Sequence, residues 1–230
     1  MPPFYNHGHA DALSITLTKE GRQVLVDPGT YRYNGVPEWR RYFKGTRAHN
    51  TVTIDGLDQA VQETGFIWSK PYNAELLCIS EQNDAFLVKA VHDGYSRLRK
   101  KVWHQRSVLF FDKTSFLLKD SFSGEGIHKF ELNYHLHPDA VLTKSHDWWL
   151  IDNHGSKVFV RLLHEGDFFF VRAQEDPPLG WYSPSYGIKT KSGFLSCIKT
   201  GTPGQTSFVT AMCTQAPLNK DKLEKRASNI

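Results

Sequence analysis

Ser107-Val108-Leu109-Phe110-Phe111, then Asp112-Lys113-Thr114, then Ser115-Phe116-Leu117-Leu118-Lys119, read as two short apolar strands joined by a polar turn. Outward from this hairpin the same style of segment recurs. Residues 13–18 (LSITLT) alternate apolar and polar side chains, the mark of a half-buried strand. Residues 23–27 (QVLVD) stop at Pro28-Gly29, and residues 49–55 (HNTVTID) close at Gly56. Further strands are expected over 130–136, 148–151, 158–163, 168–172, 194–199 and 207–212. Many short strands separated by Gly, Pro, Asn and Asp predict an all-β fold, a two-sheet antiparallel β-sandwich with little helix. Residues 37–44 and the chain after Pro217 alone read as helical or irregular. The expected organisation is a sandwich over 1–216 and a polar tail over 217–230, with the lysine-rich end from Asn219 a frayed, solvated terminus.

The 230 residues are 40% hydrophobic, 13% aromatic and 23% charged, with 17 Gly and 11 Pro, which excludes disordered, collagen-like and coiled-coil classes. No apolar run approaches the ~18–20 residues that a membrane-crossing helix needs. The opening MPPFYNHGHAD shows no basic and apolar regions of an export signal. Cys78, Cys197 and Cys213 are too few and too scattered for a disulfide framework or a cysteine zinc site. A net charge of +4 suits a polyanionic partner but falls short of the dense basic stripe of a nucleic-acid binder.

Histidine is the unusual component, with 11 residues, several of them near the start. If the strand at 13–18 extends backward, period 2 places His7, His9 and Asp11 on the core-facing side with Leu13, Ile15 and Leu17. Buried imidazoles need partners, and a metal ion is one. Asp27 ends the second strand and His49 opens the third, so if these strands are sheet neighbours their ends can converge on a His/Asp/His set, an N/O donor set suited to zinc. An HxH pair alone more often serves hydrogen-bonded structure than metal. A cupin-like metal-dependent oxidoreductase also uses HxH, but it expects a glutamate soon after the pair. Ala10, Asp11, Ala12 and Leu13 offer none.

His7-Gly8-His9-Ala10-Asp11-Ala12-Leu13-Ser14, Val26-Asp27-Pro28-Gly29-Thr30-Tyr31 and Arg47-Ala48-His49-Asn50-Thr51-Val52 together resemble the heparinase II/III-like domain of bacterial polysaccharide lyases. Asp93-Gly94-Tyr95 and the stretch Gly180 to Gly187 (GWYSPSYG) add to the resemblance, which spans about residues 5–212. It implies a C-terminal β-sandwich that packs on an N-terminal α/α toroid, with an anionic polysaccharide or oligosaccharide cleaved by β-elimination in the cleft between them. It also implies that His7 faces the active site, while His9, Asp27 and His49 hold a structural zinc. The principal acid/base tyrosine and the group that neutralises the uronate carboxylate are expected on the toroid. The motif opens at residue 7, so further chain is expected before it, and this chain alone is expected to be a poor catalyst. The resemblance places such a protein in the periplasm or at the cell surface.

Residues 30–47 carry Arg32, Arg40, Arg41, Lys44 and Arg47 among Tyr31, Tyr33, Trp39 and Tyr42. Arginine forks match carboxylate and sulfate groups, and aromatic rings cover sugar faces. Tyr31 and Arg41 are the preferred substrate-binding candidates. A non-catalytic glycan-binding or exopolysaccharide-processing support module, with zinc as a staple, is the alternative reading.

Overall fold

The computed structural model describes residues 7–82, 84–228 and 230. In chain order these form β1 (Leu17–Lys19), β2 (Arg22–Leu25), α1 (Pro37–Lys44), β3 (Val52–Ile54), β4 (Val61–Gln62), β5 (Trp68–Ser69), β6 (Ala74–Gln82) and β7 (Ala85–His92). Next come β8 (Val102–Phe111), β9 (Ser115–Gly124), β10 (His128–His135), β11 (Val141–Ser145), β12 (Trp148–Asn153) and β13 (Ser156–Leu162). The chain ends with β14 (Phe169–Arg172), β15 (Trp181–Ser185), β16 (Ile188–Lys191), β17 (Gly193–Gly201), β18 (Ser207–Cys213) and α2 (Lys220–Ala227).

The hairpin expected around residues 112–114 is β8–β9, paired from Val102↔Gly124 to Phe111↔Ser115. It lies within an eight-stranded antiparallel sheet of order β11-β12-β13-β18-β9-β8-β7-β6. A four-stranded sheet, β14-β17-β10-β3, packs against it to make the sandwich. Alternation supplies the filling. Val52, Ile54, Phe130, Leu132, Tyr134 and Leu195 from the smaller sheet meet Val102, Leu118, Phe122, Val158, Phe208 and Met212 from the larger. The Phe122 and Phe130 rings stack with centroids 4.3 Å apart, and the Tyr134 hydroxyl donates to Thr210 Oγ1 at 3.0 Å across the core. Among the described residues α-helix is confined to two eight-residue segments, with single 3-10 turns at Thr46–Ala48 and Pro203–Gln205. No helix among the described residues is long and apolar enough to cross a membrane.

Three expectations change. Residues 13–16 are not strand. Only Leu17–Lys19 pairs, although Ile15 and Leu17 still pack on the core as the alternation requires. The hairpin β6–β7 was not foreseen, because a bulge between Leu76 and Cys78 breaks its alternation. β6 forms the edge of the larger sheet, and its Leu76, Leu77 and Ile79 are exposed, as is Phe86 on β7.

The C-terminal end is not a frayed tail. Asn219 caps α2 by accepting from the Asp221 N–H, and Leu223 and Ala227 pack onto Leu109, Phe111, Leu117 and Val209 on the outer face of the larger sheet. Lys222 pairs with Asp112 at 2.6 Å, so the turn of the central hairpin also holds the helix. Leu223 is fully buried, and Leu223→Ala is expected to cost about 2 kcal/mol or more. The measurement is a lower urea midpoint at unchanged slope.

Candidate metal centre and cleft

The segment that carries His7 and His9 owes its shape to buried polar groups from elsewhere. Arg106 on β8 and Asp120 on β9 form a fully buried ion pair, with Arg106 Nε on Oδ1 at 2.8 Å and Nη2 on Oδ2 at 3.1 Å. His104 Nε2 completes the carboxylate at 2.6 Å. Burial alone would raise the Asp120 pKa, but Arg106 and His104 outweigh it and hold the group at about 2. The remaining Arg106 nitrogen, Nη1, donates to the carbonyls of Leu13 and Asn50, so one buried cation ties together the two segments that bear the histidines.

Asn50 does the same with an amide. Its Nδ2 donates to Ile15 O and Val26 O, its Oδ1 accepts from the His135 N–H, and its backbone N–H reaches Ser14 Oγ. These bonds hold residues 12–16 out of any sheet, with a turn at 12–13 and Leu13 at φ +59°, where a strand was expected. The Gly8 carbonyl accepts from Trp68 Nε1 at 2.9 Å, and the Ala10 N–H donates to Lys44 O at 2.9 Å. With Gly8 fixed between them, the two histidines part company.

His9 turns toward His49 and Asp27. His9 Nδ1 lies 3.1 Å from His49 Nε2, His49 Nε2 lies 3.6 Å from Asp27 Oδ2, and the three ligand atoms all fall within 4.8 Å of one another. Tetrahedral zinc with bonds of ~2.0–2.2 Å needs donor atoms roughly 3–4 Å apart; the 3.1 and 3.6 Å pairs meet this and the third lies within 4.8 Å, so the set can close on a metal ion with a small adjustment. Neighbouring backbone groups orient two of these donors. His49 Nδ1 donates to Gly45 O at 2.7 Å, which leaves the Nε2 lone pair pointing at the centre. Asp27 Oδ1 accepts from the Gly29 N–H of the Asp-Pro-Gly turn, and Oδ2 remains for the centre. Burial, and then His49, push the His9 pKa down to about 3, so the ring is a neutral donor at physiological pH. His49 is fully buried whereas half of the Asp27 side chain is exposed, so the centre is closed on one side and reachable on the other. Gly29 is required here, because with φ +78° a Cβ would lie 2.3 Å from the Ser183 carbonyl oxygen.

His7 is exposed, and its ring meets the edge of Tyr33 at 5.3 Å between centroids. Tyr33 stacks on Phe66 at 6.1 Å and lies under the Arg40 guanidinium at 5.0 Å. On this side of Tyr33 is a cleft of ≈ 320 Å³ whose walls include Tyr33, Phe66, Arg40, Arg41, Gln62 and Thr64. Arg41 is exposed on this wall, where the sequence suggested a substrate contact.

Tyr31 is elsewhere. It is 8% exposed and packs with Phe43 and Trp39 in a satellite core, which makes it an anchor of the loop rather than part of its rim. The reason is local. Tyr31 has φ +61°, and this break in the extended chain sends Tyr31 inward while Tyr33 reaches the cleft. Tyr33, whose only signal in the sequence is membership of the same aromatic, basic loop, lines the cleft in its place. Three of the loop's five cations have structural partners. Arg47 forms a fork with buried Glu131, and Arg40 and Lys44 both donate to the Gly65 carbonyl.

Fold and donor set define an antiparallel sandwich domain with a His/Asp/His centre held by its loops. Residues 1–210 match the family described as heparinase II/III-like, C-terminal, and the chain belongs to that family. A heparin-sulfate lyase of Bacteroides stercoris is 24% identical over 218 residues, which is 92% of this chain and 30% of the relative. A heparin-sulfate lyase of Pedobacter heparinus is 27% identical over 143 residues, 60% of this chain and 19% of the relative. The crystal structure of heparan sulfate lyase HepC from Pedobacter heparinus superposes with a TM-score of 0.73 at 21% identity, covering 92% of this chain and 32% of that one; this likeness is one of fold. The chain spans at most about a third of the length of these relatives.

Buried neutral histidines give the domain an acid limit. Burial holds the His135 pKa at about 3; its Nε2 donates to Arg47 O, and Nδ1 is buried without a partner among the described residues. The unfolded value is ~6.5, so below that pH the unfolded chain takes up a proton that the folded state refuses until about 3. Stability is therefore unaffected by this group above ~6.5 and falls as the pH drops, by roughly 1–2 kcal/mol at pH 5. Urea midpoints of metal-free protein at pH 7 and pH 5 are expected to show this loss, and His135→Gln to reduce it.

Proposed function

We propose that this chain is the sandwich domain of a polysaccharide lyase that cleaves a uronic-acid-containing polysaccharide by β-elimination. Zinc bound by His9, Asp27 and His49 would have a structural role, fixing the three loops. The observation that carries the reading is the divergence at Gly8, with His9 turned into the donor set and His7 turned out to Tyr33 beside an arginine-walled cleft. The heparin-sulfate lyases among its relatives support a sulfated uronan as substrate.

The reaction asks for four things. A base removes the proton at C5 of the uronate, the electron pair forms the C4–C5 double bond, the C4–O glycosidic bond breaks, and an acid protonates the departing oxygen. The carboxylate resists this until its developing charge is stabilised. Exposed His7 and the Tyr33 it touches on the cleft wall are the pair placed to move protons at these atoms. Arg41 on the cleft wall would bind a carboxylate or sulfate group. An α/α toroid in the full protein supplies the opposite wall and the carboxylate-neutralising group in this proposal, and a periplasmic or cell-surface location belongs to it too.

The full protein is expected to release unsaturated uronate product from heparan sulfate, followed by its ultraviolet absorbance. His7→Ala and Tyr33→Phe should each lower kcat by ~10²–10⁴. Full activity in both variants would sink the assignment, and absence of product from every uronan would sink the lyase reading. The 230-residue chain alone is expected to turn over little substrate. It should bind one zinc per chain, with binding lost in His49→Ala and kept in His7→Ala.

A further inference from the structure

The hairpin β15–β16 forms no part of the donor set, yet it is pinned beside it from several directions. Its Ser183 N–H donates to Pro28 O in the turn that carries Asp27, and the Gly187 N–H donates to Tyr31 O, both at 2.8 Å. Trp181 Nε1 donates to Gln174 O at 2.8 Å. The Lys189 ammonium sits between the faces of Trp39 and Trp181, 3.6 and 3.8 Å from their centroids. Such a scaffold holds its tip without needing any tip side chain for stability. At that tip Tyr186 is 63% exposed, a large aromatic ring left in water on a rigid mount.

The position of that ring gives it meaning. Tyr186 lies 5.7 Å from Tyr33, on which His7 also rests, so the rings run from His7 through Tyr33 to the hairpin tip. Arg32 stands next to the tip, against Gly187, with its guanidinium over the Tyr31 ring at 5.5 Å. Arg32 is exposed and forms no ion pair with a carboxylate among the described residues, unlike Arg47. An aromatic face beside an unpaired guanidinium matches a sugar ring that bears a carboxylate or sulfate.

We infer that Tyr186 and Arg32 form a second subsite, for an anionic sugar ring on the far side of Tyr33 from the Arg41 cleft. The inference rests on the lyase reading and adds to it that the polysaccharide is gripped on both sides of the His7–Tyr33 pair. A chain of two sugars then fills one side only, and a chain of four reaches both.

The test is calorimetric titration of the 230-residue chain with a heparan sulfate disaccharide and tetrasaccharide. Tyr186→Ala and Arg32→Ala should each weaken the tetrasaccharide by ~10-fold and leave the disaccharide unchanged. Tyr186→Phe should bind as the unaltered chain does, because the ring and not the hydroxyl makes the contact. Equal urea midpoints would show that these exposed substitutions leave the fold intact. If Tyr186→Ala leaves tetrasaccharide affinity unchanged while Arg41→Ala lowers it, the second subsite is wrong and the lyase reading stands. An equal loss for both oligosaccharides would also overturn it, because Tyr186 would then belong to the Arg41 side. If the unaltered chain binds neither oligosaccharide, the subsite is wrong, while the lyase reading is judged separately by product release from the full protein.

Discussion

The arrangement of the candidate site depends on a charge buried in the core. Removing a guanidinium and a carboxylate from water costs several kcal/mol each, which is offset only when every donor and acceptor finds a partner in good geometry. Asp120 is saturated by Arg106 and His104, but the pairing leaves Arg106 Nη1 with hydrogens to place. They go to Leu13 O and Asn50 O, one carbonyl from each histidine-bearing segment. The loops are thus held by the unmet demand of a buried cation, and their own propensities would have made a strand of one of them. Replacing one partner alone would leave the other charged and buried, which is far worse than never having the pair.

Asn50 extends this control to the rest of the centre. It lies beside His49 in sequence and bonds residues 15, 26 and 135, so a single amide fixes His49 relative to the strand that delivers Asp27. The donor atoms therefore stand at ligand spacing through bonds none of them makes. A metal would find the geometry already formed, which lowers the ordering cost of binding. The closed side of the centre is the side braced by the core, and the open side belongs to Asp27 and the turn against the β15–β16 hairpin.

Much of the sandwich was legible in the sequence because one face of each strand is buried, and alternation records that directly. Strand β10 carries it in Phe130, Leu132 and Tyr134 and β13 in Val158 and Val160, whereas β12, β14, β17 and β18 were legible as short apolar runs between turns. It failed at residues 13–16 for a tertiary reason, since Arg106 and Asn50 capture that backbone from distant strands. It failed at β6–β7 because an edge hairpin with a bulge has no single buried face to record. In the site, the strand ends pointed to a His/Asp/His set, while the choice of His9 over His7 came only from the family resemblance, because period 2 puts both on one face. The choice of Tyr31 over Tyr33 could not be corrected by pattern, because a left-handed residue reverses the inward and outward order within two positions.

The exposed edge of the larger sheet bears on how the domain behaves in solution. β6 presents unpaired backbone together with Leu76, Leu77 and Ile79, the features that invite a second strand to add on and copies to aggregate. Its own sequence resists the simplest such event. Antiparallel pairing of two copies about Cys78 would set Leu77 against Ile79 favourably, but it would also set Glu75 of each copy against Glu81 of the other. Those glutamates act as gatekeepers that make this edge a poor template for a second copy of itself.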